Sequence, residues 1–180
     1  MKLAKEVVAA FLESEGTERE DAARVAQLGM GSIGRSLGFL PDGDDDAPLA
    51  VLRERALHII EAALDPGRGK SYTTALSYSP AGARSLVELF SFVEEWLRDV
   101  AAVAAGAEHG VLGQDDLEHL RRMVKESGVE PADAAAALPA LEEARELARG
   151  NVNPQLIVSG LLRRLRTSLG TRKTTKVGRP

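Results

Sequence analysis

Residues 150–156 form the stretch Gly150-Asn151-Val152-Asn153-Pro154-Gln155-Leu156, which predicts a sharp junction between two helices. Gly150 is suited to end the preceding helix in a left-handed conformation, because it has no side chain to clash. Asn153 can cap the next helix by accepting a hydrogen bond from an exposed backbone N–H. Pro154 fits the first helical turn because it has no N–H to satisfy. A final helix is therefore expected to begin at residue 154.

Apolar residues at helical spacing predict this last helix and several helices before it. In the last helix the apolar face consists of Ile157, Leu161, Leu165 and Leu169. Upstream, similar stripes lie within residues 3–11, 22–26, 49–63, 86–103 and 117–124. Pro131 is expected to start a further helix, which Pro139 must kink or interrupt. No segment alternates apolar and polar residues with the β-branched enrichment of a strand. The sequence therefore predicts an all-α fold.

The composition is that of an ordinary soluble globular protein, with 44% hydrophobic residues and 4% aromatic residues in 180. Alanine and leucine predominate, which favours helices over a β-sandwich or barrel. The absence of cysteine excludes disulfides, thiolate zinc sites and a cysteine nucleophile. No apolar run is long enough to span a membrane, and the N-terminus does not resemble a signal peptide. We therefore expect a cytoplasmic protein without membrane contact.

Charge is distributed unevenly along the chain. Residues 161–180 contain seven of the 23 basic residues and no acidic residue. The remaining sixteen bases face 27 acids, which gives residues 1–160 a net charge of about −11. Such asymmetry is found in nucleic-acid-binding tails, but a solvated terminus has the same composition. We interpret residues 170–180 as a basic flexible tail.

The N-terminal part of the chain is predicted to form a small bundle of three short helices. Gly16 is expected to end the first helix. Thr17 and Glu20 have the spacing of a capping box for the second helix, and Ser32 can cap the third. Residues 41–46 contain a proline, a glycine and four aspartates, which predicts an acidic hinge after the bundle.

One stretch resembles the end of a phosphate-binding loop, Gly67-Arg68-Gly69-Lys70-Ser71. That loop needs a glycine five residues before the Gly-Lys pair, where Leu64 stands, and a strand before it. We interpret the stretch as a loop between helices.

His58, His109 and His119 share no metal-ligand spacing, and no serine lies in a catalytic Gly-x-Ser-x-Gly elbow. We therefore assign no catalytic, cofactor-binding or metal-binding residue.

Two further phrases point to a family when they are combined with residues 150–156. Residues 28–37 read Leu28-Gly29-Met30-Gly31-Ser32-Ile33-Gly34-Arg35-Ser36-Leu37, and residues 96–99 read Trp96-Leu97-Arg98-Asp99. In order and spacing, the three phrases resemble the bacterial DNA polymerase III clamp loader. The delta-prime subunit is the closest match and the related gamma/tau subunit is second. The resemblance covers nearly the whole chain but only the later part of such a subunit, in which a three-helix lid and a helical collar follow an ATPase-type domain.

This resemblance implies a division into a lid domain of residues 1–46, a collar of residues 47–169 and the tail of residues 170–180. It implies a non-catalytic part of a subunit, which helps to assemble the heteropentamer that loads the sliding clamp onto primed DNA. The implied partners are the gamma/tau and delta subunits. Contact with the sliding clamp and with primed DNA would be indirect.

The family phrases also single out individual residues. Those expected to have structural roles are Gly31, Ser32, Gly34, Asn151, Asn153 and Pro154. The candidates for contacts between subunits are Arg98, Asp99, Arg163 and Arg164. Trp96, the only tryptophan, is expected to be a core anchor rather than a contact residue.

In ATP-binding relatives, the lid helix that starts at this phrase carries an arginine that reaches the nucleotide phosphates. The matching position in this chain is Gly34. Arg35 lies one residue later, about 100° further round the helix, and is expected to point elsewhere. The resemblance therefore implies that this chain does not hydrolyse ATP and needs no cofactor.

A second hypothesis comes from a different functional class. The chain would be a free-standing helical nucleic-acid-binding module that uses its basic C-terminal segment. Its affinity would then fall steeply with salt, because bound phosphates release counterions. The acidic remainder of the chain would repel the same phosphates, which makes this the weaker hypothesis.

Overall fold

The computed structural model of this chain describes residues 2–41, 47–65, 67–78, 83–150 and 152–170. These residues form α-helices joined by turns and contain no strand, so the predicted all-α fold is confirmed. None of the described helices is long and apolar enough to cross a membrane.

The described residues contain nine α-helices and two short 3-10 turns. The α-helices are α1 (Lys5–Ser14), α2 (Arg19–Leu28), α3 (Ile33–Leu37), α4 (Pro48–Leu64), α5 (Arg68–Leu76), α6 (Ala83–Ala104), α7 (Leu117–Ser127), α8 (Pro131–Arg149) and α9 (Pro154–Leu169). The 3-10 turns are Glu108–Gly110 and Gln114–Asp116, and both lie between α6 and α7.

Several helix ends agree with the sequence predictions. The Ser32 hydroxyl accepts a hydrogen bond from the Arg35 N–H at 3.3 Å and caps α3. The Asn153 side chain accepts one from the Gln155 N–H at 2.8 Å, and Pro154 is the first residue of α9. A helix end not singled out from the sequence is Gly128, which follows α7 in the left-handed conformation, with φ 67°, a value that a residue with a side chain rarely adopts.

Two predicted helix caps are wrong. Gly150 is extended, with φ −87° and ψ −175°, so α8 does not end in a left-handed glycine. The chain leaves α8 through this extended residue because α9 starts only a few residues later. Thr17 does not cap α2, which begins after Glu18 without a side-chain cap. The Thr17 N–H instead closes the end of α1, where it donates to the Leu12 carbonyl at 3.0 Å.

One predicted loop is also wrong, and one of two alternatives at Pro139 is excluded. The stretch interpreted as a loop, residues 67–71, is mostly helical, because α5 begins at Arg68. The Gly67 N–H donates to the Asp65 carboxylate at 2.6 Å, which makes a short turn between α4 and α5. Of the two outcomes expected at Pro139, a kink or a new helix, the second does not occur, since α8 continues through it to Arg149.

The core is centred on α6, which packs against α4 on one side and α8 on another, while α9 packs on α8, α4 and α5. Trp96 is 1% exposed and lies inside this core, as predicted. The apolar face predicted for α9 is buried over its whole length. It consists of Ile157, Leu161, Leu165 and Leu169, none more than 2% exposed.

Helices α1, α2 and α3 pack together before the start of α4, and we call them the N-terminal unit. The apolar face that the sequence predicts for α1, Leu3, Val7, Val8 and Phe11, is partly wrong, because Val7 is 53% exposed and Phe11 is 37% exposed, while Val8 and Leu12 are buried. The end of the unit reaches α6, where the Phe39 ring meets the Phe92 ring edge-on. The predicted acidic hinge overlaps residues 42–46, which lie outside the described residues.

Candidate functional site

Five charged residues meet where the N-terminal unit, α4, α6 and the second 3-10 turn come together. We call them the charge cluster: Arg35, Arg53, Glu95, Asp99 and Asp116. Glu95 and Asp99 are four residues apart, so both project from the same face of α6. Asp99 is fully buried, Arg53 is 6% exposed and Glu95 is 9% exposed. Few charged residues in proteins are buried to this degree unless they are paired.

Arg53 lies at the centre of the charge cluster. Its guanidinium nitrogens are 3.8 Å from the Glu95 carboxylate, 3.8 Å from Asp99 and 3.6 Å from Asp116. Its carbon Cζ lies 3.8 Å from the centre of the Trp96 ring, and the indole N–H of Trp96 donates to the Arg53 carbonyl at 3.0 Å. Burial lowers the pKa of Arg53, while the three carboxylates act in the opposite direction.

Glu95 connects the N-terminal unit to α6. The Arg35 guanidinium donates to its carboxylate at 2.6 Å and, through Nε, to the Leu28 carbonyl at 3.2 Å. The same guanidinium lies over the Phe92 ring, 4.8 Å from its centre. Burial raises the pKa of Glu95, and Arg35 and Arg53 partly oppose that rise. Arg35 therefore points into its own chain and joins α3 to α6.

Asp99 connects α6 to the segment before α7. Its Oδ1 accepts a hydrogen bond from the Leu112 N–H at 3.0 Å and a second one from Arg98 at 3.3 Å. Gly113 follows at once, and a Cβ at this position would collide with the Arg53 guanidinium and the Asp116 carboxylate. A side chain at position 113 would therefore force Arg53 or Asp116 of the charge cluster to move.

Several charged atoms of the cluster have no hydrogen-bond partner among the described residues. They are Nη1 and Nη2 of Arg53, Oε2 of Glu95 and Oδ2 of Asp99. Their distances of 3.6 to 3.8 Å exceed those of ordinary hydrogen bonds. At these atoms the cluster is therefore held by attraction between charges. Breaking such a pair is strongly destabilising, because it leaves a buried charge without compensation.

A cleft of about 770 Å³ opens beside the charge cluster, between α2, α4 and the second 3-10 turn. We call it the acidic cleft, because six carboxylates line it: Glu18, Glu20, Asp21, Glu54, Asp115 and Asp116. Its basic lining residues are Arg24 and Arg53, and Arg24 is paired with Asp21 at 2.5 Å. Trp96 also contributes to the lining beside Arg53. The cleft therefore has an excess of negative charge.

The glycines and the serine of the first family phrase shape the turn into α3. Gly31 has φ 81°, and a Cβ there would collide with the Leu3 carbonyl oxygen, so the position requires glycine. Gly34 is exposed on α3, and a Cβ there would meet no atom within 4 Å. The turn at Gly31 and the Ser32 cap start the short helix that carries Arg35 to Glu95.

The four residues predicted for subunit contacts are not brought together. Asp99 is buried within its own chain, so in this fold a partner cannot reach it. Arg98 has a side chain that is 52% exposed, although it also bonds to Asp99. Arg163 and Arg164 are exposed on α9, and Arg164 pairs with Glu143 of α8. Asn151, predicted to be structural, lies outside the described residues.

Sequence reasoning did not find Arg53, Glu95 or Asp116. One partial signal was present, because Glu95 and Asp99 are four residues apart on α6 and lie beside the tryptophan that is expected to be buried. If these two carboxylates are buried with the tryptophan, they need a cationic partner elsewhere in the chain. The partner itself, Arg53, lies 42 residues before Glu95, and local spacing does not identify it.

No family model, curated protein or solved structure matches this chain. In the described ranges, no group of three or more histidine, aspartate or glutamate residues is placed to hold a metal ion. The geometry shows directly that the charge cluster joins three parts of the chain to α6. The charge cluster holds α3, α4 and the segment before α7 onto α6, and thereby fixes the N-terminal unit against the remaining helices.

Proposed function

We propose that this chain is the lid and collar part of a clamp-loader subunit of the delta-prime type. In this proposal the N-terminal unit is the lid, and α4 to α9 form the collar. The chain has no catalytic role of its own. It helps to assemble the heteropentamer, with gamma/tau and delta subunits, that loads the sliding clamp onto primed DNA.

The observation that carries the proposal is the meeting of two family phrases in space. The first phrase supplies Arg35, and the second supplies Trp96 and Asp99. All three belong to or border the charge cluster, although about 60 residues separate the phrases. A chance match of two short phrases would not be expected to place them at one contact. The third phrase begins α9, whose apolar face completes the core.

Arg35 supports the non-catalytic part of the proposal. In ATP-binding relatives the arginine of this phrase faces the nucleotide, whereas here Gly34 occupies the matching position on the exposed side of α3. Arg35, the next residue, is engaged by Glu95 and by the Leu28 carbonyl. We propose that this phrase has kept its role in joining lid to collar and has lost the contact with phosphates.

Exposed leucines offer a surface for neighbouring subunits. Leu156 of α9 is 68% exposed and Leu76 of α5 is 49% exposed. The start of α9 and the end of α5 are in contact, because the Gln155 side chain donates to the Leu76 carbonyl at 3.3 Å. Large apolar side chains at the centre of an interface supply much of its binding energy. In the proposed collar, Leu76 and Leu156 contact a gamma/tau or delta subunit.

Co-purification tests this proposal. The chain, expressed with the gamma/tau and delta subunits of its own organism, is expected to purify with them. Leu156→Glu should weaken that association about tenfold or more. The variant should still fold, because Leu156 is exposed and a glutamate in the first turn of α9 interacts favourably with the helix dipole.

Val7→Glu is the matched control, since Val7 is an apolar residue 53% exposed in the N-terminal unit. It should leave the association unchanged, as should removal of residues 170–180. If the chain instead binds no partner subunit and binds DNA in a salt-sensitive manner that requires residues 170–180, the nucleic-acid-binding hypothesis replaces this proposal.

A further inference from the structure

The N-terminal unit meets the remaining helices over a small area. Helices α4, α6, α8 and α9 pack along one another, whereas in the described part of the chain α1, α2 and α3 pack mainly among themselves. The buried residues of α1 and α2 include Val8, Leu12 and Val25, all of them fully buried. The unit therefore keeps a small core of its own beside its contact with α6.

Two side chains of the unit reach across the junction next to the charge cluster. The Gln27 side chain donates to the Leu112 carbonyl at 2.8 Å. The centres of the Phe39 and Phe92 rings are 5.9 Å apart. Each of these contacts is formed by a single side chain, and neither extends along the face of a helix.

Arg35 makes the strongest single contact across the junction. It donates to the Glu95 carboxylate at 2.6 Å, and a hydrogen bond between charged groups is about twice as strong as a neutral one. On its own side it donates to the Leu28 carbonyl at the end of α2. The Arg35 side chain is 25% exposed, whereas that of Arg53 is 7% exposed. Arg35 therefore joins α2 and α3 to α6 from the edge of the charge cluster, where water reaches it.

Open space adjoins this junction in two places. The acidic cleft, of about 770 Å³, separates Ala23 of α2 from Glu54 of α4. A second cavity, of about 590 Å³, lies between Met30 of the N-terminal unit and Leu138 of α8. Since side chains do not fill these spaces, the unit has room to turn relative to α4 and α8.

A backbone contact ties the unit to the start of α4. The Leu49 N–H donates to the Gly38 carbonyl at 2.9 Å, and a Cβ on Gly38 would collide with the Leu49 side chain. The contact lies where the chain passes from the N-terminal unit into α4. It can therefore persist while α2 moves, and it supplies a pivot.

The charges on the two sides of the acidic cleft favour a wider cleft. Each side carries three carboxylates and one arginine, so each has a net negative charge. The side of the N-terminal unit consists of Glu18, Glu20, Asp21 and Arg24, and the opposite side of Arg53, Glu54, Asp115 and Asp116. Like charges repel across the cleft. The contact between Arg35 and Glu95 opposes that repulsion.

We propose that the N-terminal unit is a movable part of this chain and that the ion pair of Arg35 and Glu95 is the latch that holds it on α6. When the latch breaks, the unit turns about the contact of Gly38 with Leu49, and the acidic cleft widens. A partner that bound the two positions with different affinity would shift the balance between them. The movement involves one chain only, so it is independent of the clamp-loader proposal.

Distances between two spin labels test this movement. The chain contains no cysteine, so labels attach only to introduced ones. Ala23→Cys on α2 and His58→Cys on α4 place labels at exposed positions outside the charge cluster in the full chain. Pulsed electron–electron double resonance gives the distribution of distances between the labels. With the latch intact, one narrow distribution is expected.

Two variants break the latch from opposite sides, Glu95→Gln and Arg35→Met. In each, the population at the longer distance should rise about tenfold, because a charge-assisted hydrogen bond is lost. Glu94→Gln is the matched control, since Glu94 is the neighbouring acid on α6 but pairs with Arg145 of α8. It should leave the distribution unchanged.

A second pair of labels distinguishes movement of the whole unit from local unfolding. Lys5→Cys and Ala23→Cys both lie within the N-terminal unit, on α1 and α2. The distance between these labels should be the same with the latch intact and with it broken. Circular dichroism checks that each variant is folded. If Glu95→Gln does not fold, because Glu95 also faces Arg53, Arg35→Met decides alone.

Three results would overturn the proposal. The first is an unchanged distribution between labels at positions 23 and 58 in folded Arg35→Met. The second is an equal rise of the longer distance in Glu94→Gln, which would show that any lost charge on α6 has this effect. The third is a broadened distance between labels at positions 5 and 23, which would show that the unit unfolds instead of moving as a body.

Discussion

Two contacts in this molecule hold helices together by opposite means. Helix α9 packs on its neighbours through a face that is entirely apolar, with Ile157, Leu161 and Leu165 at most 2% exposed. Helix α3 and helix α4 are fastened to α6 through the charge cluster, in which Arg53, Glu95 and Asp99 are buried. The first contact is stabilised because apolar side chains are removed from water. The second removes charged groups from water, and the pairing of those charges offsets the free-energy cost of their desolvation.

The difference concerns specificity as well as stability. An apolar face can pack against many partners of suitable shape, because hydrophobic attraction has no direction. A buried arginine is tolerated only where carboxylates meet it, so Arg53 is compatible with one arrangement of α3, α4 and α6. We therefore expect the apolar contact to supply most of the stability. The charge cluster fixes how the N-terminal unit is oriented on α6.

The largest expected effect comes from breaking the charge cluster. Asp99→Ala removes one carboxylate from Arg53 and also removes the acceptor of the Leu112 N–H, both inside the protein. The free energy of unfolding of the Asp99→Ala variant, measured by urea denaturation, should be about 3–5 kcal/mol lower than that of the wild-type chain. Arg98→Ala is the control, because that side chain is 52% exposed, and its effect should stay within about 0.5 kcal/mol. If Asp99→Ala and Arg98→Ala both changed the free energy of unfolding by similar small amounts, Asp99 would not be paired as described.

Sequence reasoning predicted the apolar contact and did not predict the charge cluster, for a physical reason. The stripe of α9 repeats every four residues, so its burial follows from one helix alone. The pairing of Arg53 with Glu95 and Asp99 depends on how two helices lie in space, which no local spacing encodes. The same holds for Val7 and Phe11, because α1 carries two overlapping apolar stripes and the packing of α2 decides which one is buried.

The helix ends also divide into those that depend on neighbouring residues and those that depend on the packing of other helices. Asn153 and Ser32 act through neighbouring backbone groups, and both caps were predicted correctly. Gly150 was predicted wrongly, because its conformation depends on the direction in which α9 continues. Helix α5 was missed because its sequence contains two threonines and a glycine and has a weak apolar pattern. Its position is set instead by packing on α4 and α9.

The second largest effect tests the apolar contact. Leu165 is fully buried in α9, so Leu165→Ala should lower the free energy of unfolding by about 2–5 kcal/mol through lost burial and a residual cavity. The loss in free energy of unfolding caused by Leu161→Ala should lie in the same range. Leu156→Ala, at a leucine 68% exposed on the same helix, should change stability little. A small effect at both buried leucines would contradict the central role given to α9.

A smaller effect is expected at the start of α9. Asn153→Ala removes the side-chain oxygen that accepts from the Gln155 N–H and should cost about 1 kcal/mol in urea denaturation. Asn153→Ser is the matched control, since serine also caps helices and should retain most of the stability. If serine were as harmful as alanine, the cap would not explain the role of Asn153 in the family phrase.

The smallest expected effect is a gain, and it concerns the helix that carries Arg35. Gly34 lies within α3, is exposed, and has no atom within 4 Å of the position that a Cβ would occupy. Gly34→Ala should therefore raise the free energy of unfolding by about 0.5 kcal/mol, because alanine loses less backbone entropy on folding into a helix. The gain should persist in the Asp99→Ala background, since the exposed side of α3 makes no contact with Asp99. A loss of stability instead would mean that residue 34 needs a glycine conformation, and that α3 does not present Arg35 to Glu95 as a regular helix.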